Sequence, residues 1–171
     1  MVKNIFITGS PGVGKTTLIR RIIDSGSLRK AKGFYTQEIR ENGERKGFKV
    51  VDLKGREGVL AHINIGGHHK VGKYKVDTKA LEEVGIKAIK EGLNEGATII
   101  VDEVGPMELC SESFRKTILE VLDSENKVIG TIKLSKDRFL ESIKNREDTK
   151  IFHLEKNNFE DLKWEIMMDY L

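Results

Sequence analysis

Ile5-Phe6-Ile7-Thr8-Gly9-Ser10-Pro11-Gly12-Val13-Gly14-Lys15-Thr16-Thr17-Leu18-Ile19 is the stretch that decides the fold. Gly9 to Thr16 fits G-x-x-x-x-G-K-[ST], the phosphate-cradling P-loop. A β-branched and aromatic run precedes it and a helix-compatible segment follows, the context the motif requires. The glycines let the backbone bend so that successive N–H groups point at phosphate oxygens. The helix that follows offers its unpaired N–H groups and positive dipole end to the same anion. Gly9, Ser10, Pro11, Gly12, Val13, Gly14, Lys15, Thr16 and Thr17 are therefore the expected nucleotide-binding residues. Lys15 is expected to reach the β- and γ-phosphates, and the Thr16 hydroxyl to ligate Mg²⁺. The bland alternative is a chance match in a chain with 17 glycines. A strand before the motif and a helix after it weigh against that.

A second block completes the first. Ala97-Thr98-Ile99-Ile100-Val101 reads as a buried strand, and two carboxylates, Asp102 and Glu103, appear where it ends. Ligands of open α/β sheets sit beyond the carboxyl ends of strands. Asp102 then lies beside the P-loop if its strand neighbours the first one, and it is the expected second Mg²⁺ ligand. Glu103 is the candidate for orienting or deprotonating an attacking water. An apolar run ending in Asp-Glu is common; the upstream P-loop is what gives it meaning.

Between the blocks the character changes. Phe34 to Ile39 reads as a strand, Glu41-Asn42-Gly43-Glu44 as a hairpin turn, and Gly47 to Leu53 as its partner. With Val59 to Ile63 this predicts an antiparallel hairpin or meander, at about 33–65, inserted into or extending a parallel core. Gly66 to Lys70 reads as a loop, whose adjacent His68 and His69 suit an exposed turn better than a metal site. A helix carries Leu81, Val84, Ala88, Ile89 and Leu93 on one face. After Leu109, helices and strands alternate: Glu112–Leu122, Lys127–Ile132, Lys136–Asn145, Lys150–Leu154 and Phe159–Leu171. The alternation predicts an α/β fold with a largely parallel sheet in a single domain, 1–171.

Composition bounds the rest. The chain has 171 residues, 30 Lys and Arg against 27 Asp and Glu, and a net charge of +3. With no basic block, it argues neither for nor against a nucleic-acid partner. Gln37 is the only glutamine in a Lys- and Glu-rich chain, a bias shared by thermophile proteins and by skewed genomes. Cys110 is the only cysteine, which excludes an intrachain disulfide. Met1 runs directly into the first strand and no apolar run approaches a membrane span, so a cytoplasmic monomer without membrane contact is expected. Lys133, Lys136, Arg138, Lys144 and Arg146 are candidates for a cation that stabilises transition-state charge, with Arg146 preferred for its planar fork. Tyr35 and Tyr74 are candidates for lining the nucleotide pocket, while Trp164 and Tyr170 read as packing residues.

Taken together, Gly9–Thr17, Gly33-Phe34-Tyr35-Thr36-Gln37-Glu38-Ile39-Arg40, Gly47-Phe48, Gly72-Lys73-Tyr74-Lys75-Val76-Asp77 and above all Val101-Asp102-Glu103-Val104-Gly105-Pro106-Met107-Glu108-Leu109 resemble the small thermostable nucleoside-triphosphatase family, which has a cancer-related member in higher organisms. The likeness runs to about Thr131 and thins beyond it. The resemblance implies a P-loop NTPase fold of RecA-like type, a three-layer α/β core. It also implies Mg²⁺-dependent hydrolysis of ATP, GTP and the pyrimidine triphosphates CTP and UTP, to diphosphate and phosphate, with loose base preference. Gly9–Thr16 would bind the triphosphate and Asp102 with Glu103 would form the metal and water site; Arg146 is not carried over. A kinase on the same core, or a nucleotide-controlled binding module with slow turnover, are the competing functions.

Overall fold

Asn4–Thr8 forms the first strand, β1, and all five residues are buried. A strand can be apolar throughout only if both of its faces are covered, and here they are. The structure is a computed structural model that describes residues 1–28 and 30–171. The further strands are β2 (Ala31–Glu41), β3 (Glu44–Asp52), β4 (Glu57–His62), β5 (His69–Val71), β6 (Tyr74–Val76), β7 (Thr98–Val104), β8 (Val128–Ile132) and β9 (Thr149–His153). Among the described residues they make one nine-stranded sheet in the order β5-β6-β4-β3-β2-β7-β8-β1-β9. The run from β2 to β9 is parallel and the remainder antiparallel.

Helices cover the two faces of the parallel part. On one side lie α1 (Lys15–Asp24) and the last helix, α6 (Phe159–Asp169). Leu18, Ile19, Ile22, Leu162 and Ile166 pack there on Ile5, Ile7, Ile100, Ile129 and Phe152. On the other side lies a helical run of α2 (Thr78–Ala80), a π-helical segment (Leu81–Ile86) and α3 (Lys87–Asn94), together with α4 (Glu112–Asp123) and α5 (Arg138–Lys144). Ile89, Phe114, Ile118, Leu122, Leu140 and Ile143 close on Phe6, Phe34, Ile99, Val101 and Val128. The alternation of Ile5 and Ile7 to one face and Phe6 to the other is the period-two geometry of a strand. This is a three-layer α/β fold.

The structure sharpens or corrects three expectations. First, β1 and β7 are not neighbours: β8 lies between them, paired to both. Asp102 therefore reaches the P-loop across one intervening strand. Second, the antiparallel part does not stop near residue 65. His69–Val71, its first two residues expected as loop, and Tyr74–Val76 form a hairpin whose inner strand pairs with β4. Each strand is three residues long, too short for an alternating pattern to register, although Tyr74 and Val76 are buried and Lys75 is exposed between them. Third, of the two forms expected for the meander, inserted or extending, the structure shows the extending one, through β2. Ala31–Phe34 pair in parallel with Thr98–Val101, and Phe34–Glu41 continue as the hairpin partner of β3. The turn of that hairpin is Asn42-Gly43, both with positive φ, as a two-residue primed turn requires.

Candidate nucleotide and metal site

The site begins where β1 ends. Gly9 has a φ of +154°, and a Cβ there would sit 2.6 Å from the Leu154 carbonyl oxygen, so the loop after β9 lies directly against the P-loop. Gly14 holds the N-cap of α1 in a left-handed conformation with no side-chain cap. The first-turn N–H groups of α1 are thereby left for an external acceptor. Lys15 Nζ donates to the carbonyls of Gly9 at 3.0 Å and Ser10 at 3.1 Å, which keeps the ammonium over the loop.

Asp102 faces this loop from β7 and is 1% exposed. Thr131 on β8 donates its hydroxyl to Asp102 Oδ1 at 2.6 Å. The Thr16 hydroxyl and the Thr36 N–H approach the same carboxyl, yet Oδ2 is buried with no hydrogen-bond partner. Burial pushes the Asp102 pKa up; Thr131, Thr16, the Thr36 N–H and the Lys15 charge pull it back. A buried acceptor left open is costly unless something else fills it. A carboxylate oxygen and a hydroxyl side by side are hard oxygen donors, the set that suits a divalent cation completed by water and phosphate. No group of three or more His, Cys, Asp or Glu placed to hold a metal ion occurs among the described residues, and a phosphate-bound cation of this kind needs none.

Glu103 follows Asp102 at the strand end. Burial and the charge of Asp102 raise its pKa, while Lys15 and Lys133 lower it. Glu108, in the 3₁₀ turn Glu108–Cys110, is 4% exposed and is pushed far up by burial and by the Glu103 charge. The structure thus gathers Lys15, Thr16, Asp102 and Glu103 at one end of the sheet. It adds Thr131, Thr36, Lys133 and Glu108. Neither Thr131, the one hydroxyl in Val128–Ile132, nor Glu108, a carboxylate between Met107 and Leu109, is singled out by the sequence.

Arg146 does not belong to this cluster, which corrects its assignment as the phosphate cation. Its Nε donates to Asp148 at 2.9 Å, its NH1 pairs with Asp123 at 2.9 Å, and its NH2 donates to the Leu122 carbonyl at 3.1 Å. Asp148 in turn accepts the Asn4 N–H on its carbonyl, so Arg146 sits where β1 starts. Five strand residues, roughly 15 Å, separate that end from the P-loop. Lys144 is engaged by Ser135 and Glu141. The charge of Lys133, by contrast, helps to lower the Glu103 pKa.

Of the two tyrosines, Tyr35 follows the Phe34–Val101 pair and so lies level with Asp102, with the Arg20 guanidinium 5.0 Å above its ring. Tyr74 packs against Phe48 and takes the Arg45 Nε–H at 3.0 Å, out on the antiparallel part. Trp164 is 56% exposed rather than packed, whereas Tyr170 packs edge-on against Phe152. The Cys110 Sγ lies 3.3 Å from the Pro106 carbonyl with its pKa raised by burial, which leaves it a poor nucleophile.

The family description "NTPase" matches residues 4–167. The chain belongs to this NTPase family. Its relatives include nucleoside-triphosphatase THEP1 of Thermotoga sp. (strain RQ2), 48% identical over 163 residues, which cover 95% of this chain and 92% of that protein. They include the human cancer-related nucleoside-triphosphatase, 35% identical over 174 residues, covering 92% and 91%. Among solved structures, THEP1 from the hyperthermophile Aquifex aeolicus superposes with a TM-score of 0.87 at 29% identity, covering 95% of this chain and 96% of that one. Membership makes this NTPase an enzyme of the hydrolase class. No helix among its described residues is long and apolar enough to cross a membrane.

Proposed function

We propose that the protein hydrolyses nucleoside 5′-triphosphates, ATP and GTP together with CTP and UTP, to diphosphate and phosphate, with Mg²⁺ as the metal and a loose preference for the base. The observation that carries this reading is the unpartnered Asp102 Oδ2, buried beside Thr16 and within the field of Lys15.

In this reading Gly9 to Thr17 wrap the phosphates through backbone N–H groups and the start of α1. Lys15 binds the β- and γ-phosphate oxygens. Thr16 and Asp102 hold Mg²⁺, which when bound neutralises charge developing on the bridging and terminal phosphate oxygens. Thr131 fixes Asp102 Oδ1, so that Oδ2 points at the ligand. Glu103 takes a proton from, or orients, the water in line with the terminal phosphorus, and its Lys15 and Lys133 neighbours favour the ionised form that this needs. The base is expected to bind without base-edge contacts, consistent with loose preference. The 171 residues act as one catalytic unit, cytoplasmic and monomeric.

The test is phosphate release from all four triphosphates with and without Mg²⁺, alongside Lys15→Ala. The expected result is Mg²⁺-dependent release within about tenfold across the bases, as base-insensitive sites give, and little release by the variant. Release by Lys15→Ala at the wild-type rate would sink the assignment of the site.

A further inference from the structure

β5 ends the sheet. It pairs with β6 alone, so the N–H and C=O groups along its outer side meet no strand among the described residues. An exposed edge of this kind is a template for another extended chain. Gly72, with a φ of +59°, starts the two-residue turn to β6. A turn of that length pins the register of the hairpin.

That register sets two lysines against each other. Lys70 stands directly opposite Lys75, and Lys75 directly opposite His62 on β4. Residues opposed across strands project to the same face, so the two ammonium groups and the imidazole form one row. Tyr74 and Val76 point the other way, into the core. Cations on the neighbouring strands have carboxylate partners: Arg40 and Arg45 pair with Glu38, Lys46 with Glu44, and Lys49 with Glu57. Lys70 and Lys75 are exposed, and neither has an ion-pair partner among the described residues. The local sequence offers none, because Gly58 to Val76 hold three lysines, three histidines and no Asp or Glu. Like charges directly opposite each other destabilise a strand pair. A single edge lysine is enough to discourage pairing with a second copy. Two opposed lysines without a carboxylate leave charge for a partner to neutralise.

We propose that the β5 edge docks an extended acidic segment of another protein, added to the sheet as a further strand. The backbone of the segment pairs with β5, and a Glu or Asp opposite Lys70 extends the row of Lys70, Lys75 and His62. Strands lie about 4.8 Å apart, which brings that carboxylate to Lys70 and within reach of the long Lys75 side chain. A three-residue strand offers few main-chain bonds, so charge supplies much of the affinity and binding is salt-sensitive. A nucleic-acid backbone carries the same sign of charge, but single strands also need aromatic faces on which bases stack. The one ring in this row is His62. Its side chain is only 14% exposed, and a Cβ on Gly47 would lie 2.8 Å from its Cδ2, so the ring is laid down on β3.

The test follows the fluorescence anisotropy of a labelled alternating Glu–Val peptide of about ten residues, titrated with the full protein at low and at high salt. Beside it run the same peptide N-methylated at every residue, an alternating Lys–Val peptide and a labelled oligouridylate. The variants are Lys70→Glu with Lys75→Glu, and Lys70→Gln with Lys75→Gln. Saturable binding of the Glu–Val peptide that weakens with salt is expected. The Glu variant is expected to raise its Kd about tenfold or more and the Gln variant to raise it less. Little binding is expected of the methylated peptide, which has no N–H to pair, or of the Lys–Val peptide. Phosphate release stays at the wild-type rate in both variants, and the thermal midpoint holds or rises as the repulsion is removed. Absence of saturable Glu–Val binding overturns the proposal, as does an unchanged Kd in both variants. Equal binding of the methylated peptide would reveal a charge contact without strand pairing and overturns it too. Oligouridylate that binds more tightly than the peptide and displaces it would assign the row to nucleic acid instead.

Discussion

Asp102 carries the greatest consequence of any single residue, because its two oxygens have different fates. Oδ1 is satisfied by the Thr131 hydroxyl at 2.6 Å, and Oδ2 is left for a ligand. Thr131→Val keeps shape and removes the donor. Leaving a buried acceptor unpaired costs about 1–3 kcal/mol, so the variant's melting midpoint is expected to fall by several degrees. It is also expected to need more Mg²⁺ for half-maximal turnover, read by titrating the metal. An unchanged Mg²⁺ requirement would detach Thr131 from the metal site. Arg146 gives the opposite test. It ties Asp148, Asp123 and the Leu122 carbonyl together at the start of β1. Arg146→Ala is expected to lose roughly 1–2 kcal/mol, the scale of charged hydrogen bonds in a partly buried network, measured by denaturant melts. Its kcat should stay at the wild-type value; a large loss of kcat would place Arg146 at the reaction after all.

At the scale of elements, the turn between β3 and β4 is held to α3 by charge. Asp52, buried at the end of β3, accepts the Arg56 N–H at 2.8 Å, the Lys54 N–H at 2.9 Å and the Arg56 guanidinium. Arg56 and Lys54 each reach Glu91 on α3 at 2.9 Å. The hydrogen bonds from Arg56 and then Lys54 hold the Glu91 pKa at about 2, below its ordinary 4.5. A depressed carboxylate pKa stabilises the fold above the unfolded value and loses that contribution as pH falls through the folded one. Glu91→Gln is thus expected to melt below wild type at pH 7, with the gap closing between pH 4.5 and about 2. A gap that persists at pH 2 would show that Glu91 acts through packing instead.

What could be read at this scale depended on length. β1, β7, α1 and α4 are long or strictly patterned, and their residues alone locate them. β5 and β6 are three residues each, and their pairing with β4 depends on partners distant in the chain. The placement of β8 between β1 and β7 is likewise a tertiary fact: each strand's apolar run says that it is buried, not beside which neighbour. Lys15, Thr16, Asp102 and Glu103 were legible because phosphate and metal chemistry dictate their types and spacing. Glu108 and Thr131 were not singled out, since a carboxylate or hydroxyl in an apolar run gains meaning only once its neighbours are known. Arg146 was misplaced because a cation's reach depends on which end of the sheet it occupies.

Across the whole molecule, the nine-stranded sheet separates two duties. The parallel part, covered on both faces, brings the ends of β1, β7 and β8 together and so builds the proposed phosphate and metal site. The antiparallel part extends β2 away from that site and is tied back through the Asp52–Arg56–Glu91 cluster. The central claim is that Glu103 acts on the attacking water and contributes little to nucleotide binding. Single-turnover hydrolysis of Mg²⁺–ATP by Glu103→Gln, with the nucleotide Kd measured on the same protein, tests it most directly. A Kd within about threefold of wild type and a hydrolysis rate lower by roughly 100-fold or more are expected, the loss of a positioned base. A variant that binds and hydrolyses at the wild-type rate would contradict it.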